Sequence, residues 1–210
     1  MPEGLTTVVF DLGNVLVDWN PRHLYRKLIR DEAAMERFLA EVITRDWIIA
    51  WDMGRPLADG IAELSARHPH YRAEIAAFHS RWNEMIPSPV DGTVAILEEL
   101  KAKRTPLYAL TNWSAETFPI ARTRFPFFDW FDGIVVSGEV KMVKPDAAIY
   151  QHLLATHGLR AGDCVFIDDS PVNVAGAEAV GIAGLRFTSP DQLRRDLARL
   201  GLLGEMPVVS

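Results

Sequence analysis

Apolar residues fall along this chain in two rhythms. Short continuous runs end "TTVVF" at Phe10 and recur in "TPLYALTN" (105–112), "DCVFIDDS" (163–170) and "GIAGLRFT" (181–188). Each is apolar through most of its length and rich in β-branched or aromatic residues, the pattern of strands buried on both faces. "FDGIVVSGEV" (131–140) reads as a weaker strand of the same kind. Between the runs, apolar positions space out at helical intervals, as Val94, Leu97 and Leu100 do within 91–104. Similar stretches cover 146–159, 170–181 and 189–201. Asp146 and Ser170 are N-cap candidates, Pro171 suits a first turn, and Gly158 and Gly181 suit helix stops.

Strand–helix alternation predicts an α/β fold, with a Rossmann-like parallel sheet core and helices on both faces. Residues 18–87 break the alternation, having helical periodicity and no convincing strand. A helical unit is therefore expected to be inserted after the first strand, leaving a core of 1–17 and 88–210. Prolines in "DWNP" (18–21) and "IPSPVDG" (86–92) mark the joints.

Composition narrows the function classes. A net charge of −6 with no Lys/Arg run argues against nucleic acid as a partner. No apolar stretch approaches the roughly 20 residues that span a bilayer, which argues against a membrane. "MPEGLTTVVF" has no basic leader and no cleavage site, and the single cysteine, Cys164, forms no internal disulfide. The expected location is cytoplasmic, with Cys164 an inert core residue. Oligomeric state is not legible.

Ligands of a parallel α/β sheet bind beyond the carboxyl ends of its strands. Those ends carry Asp11, then Thr111 and Asn112, then Asp168, Asp169 and Ser170, while Lys141 and Lys144 follow the weaker strand. Any one acid there can be a mere cap or turn former; the agreement of several strand ends is what points to chemistry. Three carboxylates in one pocket raise each other's pKa, and a hard divalent cation removes that cost. Oxygen donors with no His or Cys nearby favour Mg²⁺ over zinc. With Lys144 as a fixed positive charge, the site suits an anionic substrate such as a phosphate.

In this order the segments resemble the haloacid dehalogenase (HAD) superfamily of hydrolases. "VVFDLGNVL" resembles its first motif, with Asp11 at the nucleophile position, and "LYALTN" its second, with Thr111 at the Ser/Thr position. Lys144 in "KPDAAIY" matches the third, and "FIDDSPVNVAGAEAVGI" resembles the fourth, completed by Asn173. The resemblance places 18–87 where the family's C1-type helical cap belongs. It implies a phosphatase acting on small phosphorylated metabolites, sugar phosphates among them, through an aspartyl-phosphate on Asp11. It further implies Mg²⁺ held by Asp11, the backbone carbonyl of Gly13 and Asp169, with Asp168 close by. Thr111 would bind a phosphoryl oxygen, Lys144 would balance charge, and Asn14, Asn112 and Trp113 would border the substrate.

The chain departs from the family at Gly13, where most phosphatase members carry a second Asp as general acid and base. The carbonyl that contacts metal is kept; the proton donor is not. General acid–base catalysis contributes about 10²–10⁴-fold, a loss that a phosphatase can survive with a good leaving group. Some sugar-phosphate phosphatases of the superfamily do resemble "FDLGNV". Asn14 replaces the usual Gly and tolerates a left-handed backbone.

Two alternatives belong to other classes. A 2-haloacid dehalogenase would use Asp11 without metal and would accommodate Tyr150. Those enzymes, however, carry an aromatic residue at the Gly13 position and lack the aspartate pair. A non-catalytic HAD-fold binding module is opposed by the presence of every other motif residue. Within the insertion, Trp47 and Trp51 share a helix face and are expected to pack inside it. Asp52 and Arg55 in "WDMGRP" read as a solvated turn.

Overall fold

A computed structural model describes residues 4–204; residues 1–3 and 205–210, the outer ends of the expected core segment, lie outside the described residues. The chain opens with strand β1 (Thr7–Phe10) and then forms five helices, α1 (Arg22–Leu28), α2 (Glu32–Glu41), α3 (Arg45–Asp52), α4 (Leu57–Arg67) and α5 (Arg72–Ser80). Next come α6 (Asp91–Ala102), β2 (Leu107–Thr111), α7 (Phe118–Arg124), β3 (Gly133–Val136), α8 (Ser137–Val140) and α9 (Ala147–His157). The chain finishes with β4 (Cys164–Asp168), α10 (Pro171–Glu178), β5 (Ala183–Arg186) and α11 (Pro190–Arg199). The strands form one parallel sheet in the order β3-β2-β1-β4-β5. The expected Rossmann-like α/β fold is therefore present.

Alternation along β1 feeds two separate cores. Val8 and Phe10 face a cluster that includes Leu97 of α6 and Leu193 of α11. Val9 faces the opposite cluster, with Phe166 of β4 and Ile149 and Leu153 of α9. Each of these side chains is almost fully buried, worth about 1.5–3 kcal/mol apiece relative to exposure. Double burial explains why β1, β2 and β4 read as continuous apolar runs; β5, at the edge of the sheet, is only half-buried, contrary to the expectation for 181–188.

Three local expectations need correction. The segment 131–140 is not one strand: it leaves the sheet after Val136 and turns into α8. Asp146 and Ser170 stand at helix N-caps, but neither side chain caps. The Ser170 backbone N–H instead donates to Asp168 Oδ1 at 2.8 Å. Ser189 does cap α11, accepting from the Gln192 N–H.

The helices α1–α5 connect to the sheet through two chain passages that run side by side. Val17 pairs antiparallel with Pro89, and the Asp18 N–H donates to the Ser88 carbonyl at 3.0 Å. The Val90 N–H donates to the Leu16 carbonyl at 2.8 Å and the Asn20 N–H to the Met85 carbonyl at 2.8 Å.

Candidate active site

β1 lies at the centre of the sheet, with β2 on one side and β4 on the other. Its end is thus the point where the strand order reverses, and the crevice there is the natural ligand site of such a fold. Asp11 follows β1 directly and its N–H donates to the Ile167 carbonyl of β4 at 2.8 Å, which carries the sheet register into the site. The Asp11 carboxylate accepts from the Leu12 N–H at 2.7 Å. Lys144 Nζ sits between two acids, 2.9 Å from Asp11 Oδ1 and 2.7 Å from Asp168 Oδ2. The Lys144 side chain is 1% exposed, Asp168 0% and Asp11 11%, so Asp11 alone of the three reaches the cavity surface appreciably.

Lys144 is held at both ends. Its backbone N–H donates to Asn112 Oδ1 at 2.8 Å, and Asn112 Nδ2 donates back to the Lys144 carbonyl at 3.0 Å. Asn112 lines the cavity, yet this two-way clamp occupies its amide. The adjacent aspartates, alike in sequence, have different surroundings. Asp168 accepts from Lys144 Nζ, from the Ser170 N–H and, through both oxygens, from Asn173 Nδ2. Those bonds take up its four lone-pair sites. Asp169 is half-buried and, among the described residues, its side chain accepts a single long 3.4 Å bond, from Asn14 Nδ2. Asn14 has φ +58°, the left-handed conformation anticipated for it. Trp113 is buried, with Nε1 donating to Thr117 Oγ1 at 3.1 Å, and it lines the cavity. Thr111 is buried as the last residue of β2, with no hydrogen bond to its hydroxyl among the described residues. Tyr150 points away: its hydroxyl donates to the Asn173 carbonyl at 2.7 Å and its ring meets Phe166 edge-on.

Carboxylate oxygens of Asp11, Asp168 and Asp169 lie within 4.8 Å of one another. Burial pushes the Asp11 carboxyl well above the ordinary carboxylate range; Lys144 opposes this and Asp168 and Asp169 add to it. Asp169 is raised for the same reasons, burial first and Asp168 next. Burial works against the Lys144 ammonium, but Asp11 and Asp168 outweigh it and hold its pKa above the usual lysine value. Crowded, partly desolvated oxygens with unmet negative charge are a donor set that fits a hard divalent cation.

The cavity above these groups has a volume of about 920 Å³ and is lined by both the sheet end and helices α1, α2, α3 and α5. Leu39, Ala40, Ile43, Ile48, Ile49 and Phe78 make an apolar wall. Trp47 and Trp51 pack on each other and edge-on against Phe78, so the expected packing role holds, and Trp51 also reaches the cavity. Asp52 was expected in a solvated turn. It is half-buried and lines the same cavity as Asp11 and Lys144, whereas Arg55 does pair outward with Glu63.

Close backbone contact fixes the end of α3 over the sheet. Gly54 has φ +87°, and a Cβ there would lie 2.8 Å from the Gly138 carbonyl oxygen. Gly138 is itself pressed on the core, since a Cβ on it would meet the Ala115 nitrogen at 2.4 Å and the Trp113 oxygen at 2.8 Å. Gly54→Ala is therefore expected to cost about 1–3 kcal/mol through backbone strain and a clash with a carbonyl that cannot rotate away. Chemical denaturation should show a lower midpoint at unchanged slope; a midpoint equal to wild type would show that the contact is loose.

The model of the family "haloacid dehalogenase-like hydrolase" matches residues 5–181. At 31% identity over 86% of this chain and 88% of the relative, the chain is similar to a sesquiterpene phosphatase of Aspergillus oryzae. A protein of Porphyromonas gingivalis described as a predicted HAD-like family hydrolase shares the fold at TM-score 0.73 and 20% identity, over 97% of this chain and 100% of that one. A HAD family enzyme of Bacteroides thetaiotaomicron, solved with magnesium and inorganic phosphate, shares it at TM-score 0.67 and 21% identity, over 89% and 96% of the two chains. The match spans the nucleophile-position aspartate, the lysine and the aspartate pair that meet at the sheet end, and this chain belongs to the haloacid dehalogenase-like hydrolases.

Proposed function

We propose that this protein is a Mg²⁺-dependent phosphatase of a small phosphorylated metabolite, working through an aspartyl-phosphate on Asp11. The observation that carries the reading is the cluster of Asp11, Asp168 and Asp169 around Lys144 at the switch point of the sheet. Mg²⁺, held by Asp11, the Gly13 carbonyl and Asp169, would offset the charge of these carboxylates and of the phosphoryl oxygens. Asp168 has its lone pairs engaged by Lys144, Ser170 and Asn173, so its part is to fix the lysine. Lys144 steadies the Asp11 carboxylate for attack on phosphorus, and Thr111 donates its hydroxyl to a phosphoryl oxygen. Trp113 borders the entering substrate, and Asn14 orients Asp169.

Residues 18–87 act in this reading as the cap, and the wall they supply sets the substrate class. Sugar phosphates would ask for free donors and acceptors along that wall. Arg22 and Glu36, which also line it, hold each other in a two-pronged pair at 2.6 Å, which leaves Arg45, Asp46 and Asp52 as the insertion's cavity-lining charges without an ion pair among the described residues. The aliphatic and aromatic surface beside them supports an apolar alcohol, in keeping with the name of the Aspergillus relative. Burial of such a chain contributes about 25 cal/mol per Å².

The test is phosphate release from p-nitrophenyl phosphate, farnesyl phosphate, sugar phosphates and nucleotides, each with Mg²⁺ and with EDTA. Mg²⁺-dependent release, with kcat/KM for farnesyl phosphate at least tenfold above glucose phosphates, is expected. Halide release from 2-chloropropionate without metal would replace this reading with dehalogenation, and a silent panel would leave a binding module.

A further inference from the structure

Gly13 leaves the proposed reaction without the proton donor that phosphatases of the family usually hold two residues after the nucleophile. Space does not force the glycine. A Cβ at position 13 would meet only Trp19 Cβ, at an ordinary 3.9 Å, and its φ is not left-handed. The backbone admits a Cβ here, so the missing acid is not a steric necessity, and the reaction calls for another source of the proton.

We propose that Asp52, delivered by the helical insertion, is the acid that protonates the leaving group; this rests on the phosphatase reading above. Three structural observations carry it. Asp52 is the last residue of α3 and lines the cavity that Asp11, Lys144 and Asp169 also line. The Gly54–Gly138 contact, two residues on, pins this end of the helix to the sheet end. No hydrogen bond or ion pair claims its carboxyl among the described residues, whereas Glu36 on the same cavity is held by Arg22; Asp46, also unclaimed, stands at the opposite end of α3, away from the Gly54–Gly138 contact.

The electrostatic setting agrees. Loss of water around Asp52 pushes its carboxyl up to about 7, with Lys144 across the cavity pulling the other way. Several charged groups on the packed elements are turned to other partners, while Glu139 of α8 and Arg45 and Asp46 of α3 form no ion pair among the described residues. Glu63 of α4 pairs with Arg55 and Arg67, and Glu116 accepts from the Leu57 N–H. Lys141, just past α8, lies against Gly54, and Asp11 is bound to Lys144. A carboxylic acid with a pKa near the working pH is protonated often enough to donate and basic enough to take the proton back.

The proton balance closes within the site. As an Asp11 oxygen bonds to phosphorus and the ester P–O bond breaks, the Asp52 proton passes to the departing oxygen, which leaves as a neutral alcohol. Asp52, now a carboxylate, takes a proton from the water that attacks the aspartyl-phosphate. The electron pair of the breaking bond returns to Asp11, inorganic phosphate departs, and Asp52 is again an acid.

The test compares leaving groups. Decyl phosphate departs as an alkoxide unless protonated, whereas 2,4-dinitrophenyl phosphate departs as a stable anion. Asp52→Asn is expected to lower kcat for decyl phosphate by about 10²–10⁴-fold and for the dinitrophenyl ester by under tenfold. The wild-type decyl phosphate profile should fall as pH rises through about 7, and the variant should lack that limb. Adding Gly13→Asp to Asp52→Asn should return at least tenfold of the lost alkyl-ester rate. Equal losses on both esters, a retained alkaline limb, or wild-type turnover of the aryl ester alone would overturn the assignment of Asp52 while leaving the phosphatase reading standing. No Mg²⁺-dependent turnover of either ester by wild type would overturn both.

Discussion

Asp11→Asn should lower Mg²⁺-dependent phosphate release from p-nitrophenyl phosphate by about 10⁴-fold or more, the scale seen when a nucleophile acting in a concerted set is removed. The amide cannot form the aspartyl-phosphate, and no described neighbour can substitute. Asp168 is fully buried with its lone pairs engaged, and Asp169 is the proposed metal ligand, bonded to Asn14. The fold should survive. The substitution removes a carboxylate that burial already disfavours, and Lys144 retains Asp168 at 2.7 Å. Stability within about 1 kcal/mol of wild type is expected on that account. Rapid quenching of wild type with ³²P-labelled substrate should trap an acid-stable, hydroxylamine-labile phosphoryl group that the variant lacks. Residual activity above a thousandth of wild type would remove Asp11 from the nucleophile role.

Lys144→Met should have the opposite balance, with a large effect on stability as well as on rate. The methionine roughly fills the volume but leaves Asp11 and Asp168 facing each other across a desolvated gap. Removing one partner from a buried ionic set costs about 3–5 kcal/mol. At 2–4 °C per kcal/mol for a chain of this size, the melting temperature should drop by roughly 6–20 °C. Asp11→Asn added to Lys144→Met should recover part of the loss, because the two sites couple through one charge cluster. Millimolar Mg²⁺ should raise the melting temperature of Lys144→Met more than that of wild type, a readout independent of turnover. A melting temperature within 2 °C of wild type would mean that the cluster is far better solvated than its burial implies.

Legibility in the sequence followed locality. Asp11, Asp168 and Asp169 each sit at or just beyond the end of an apolar run, where the strand-end rule gathers them, and Lys144 follows the end of β3 by way of the short helix α8. Strands β1, β2 and β4 were legible because burial on both faces suppresses polar alternation. The short helices α7 and α8, of seven and four residues, offer too few turns for periodicity to register. The division of labour between Asp168 and Asp169 was hidden for a different reason. It depends on which carboxylate meets Lys144 from 24 residues away, a tertiary fact with no local trace. Asp52 is the sharpest case. A carboxylate beside a Gly near a helix end reads as a turn unless one knows that Gly54 abuts Gly138. The glycine was visible, but the surface it serves lies 84 residues further along.

The paired passages at Val17–Pro89 have a consequence for lineage as well as for shape. The two ends of the helical unit are tied together by backbone hydrogen bonds between the two passages, and none of these bonds involves a residue of α1–α5. The entropic cost of joining them therefore does not fall on the inserted sequence, and lengthening that sequence adds little, since closure entropy grows only slowly with loop length. One helical unit can be exchanged for another of different size without moving β1 or Asp11. Because the proposed acid and the apolar wall both travel with the exchanged piece, a descendant that acquires a new substrate by this route acquires its proton donor in the same event.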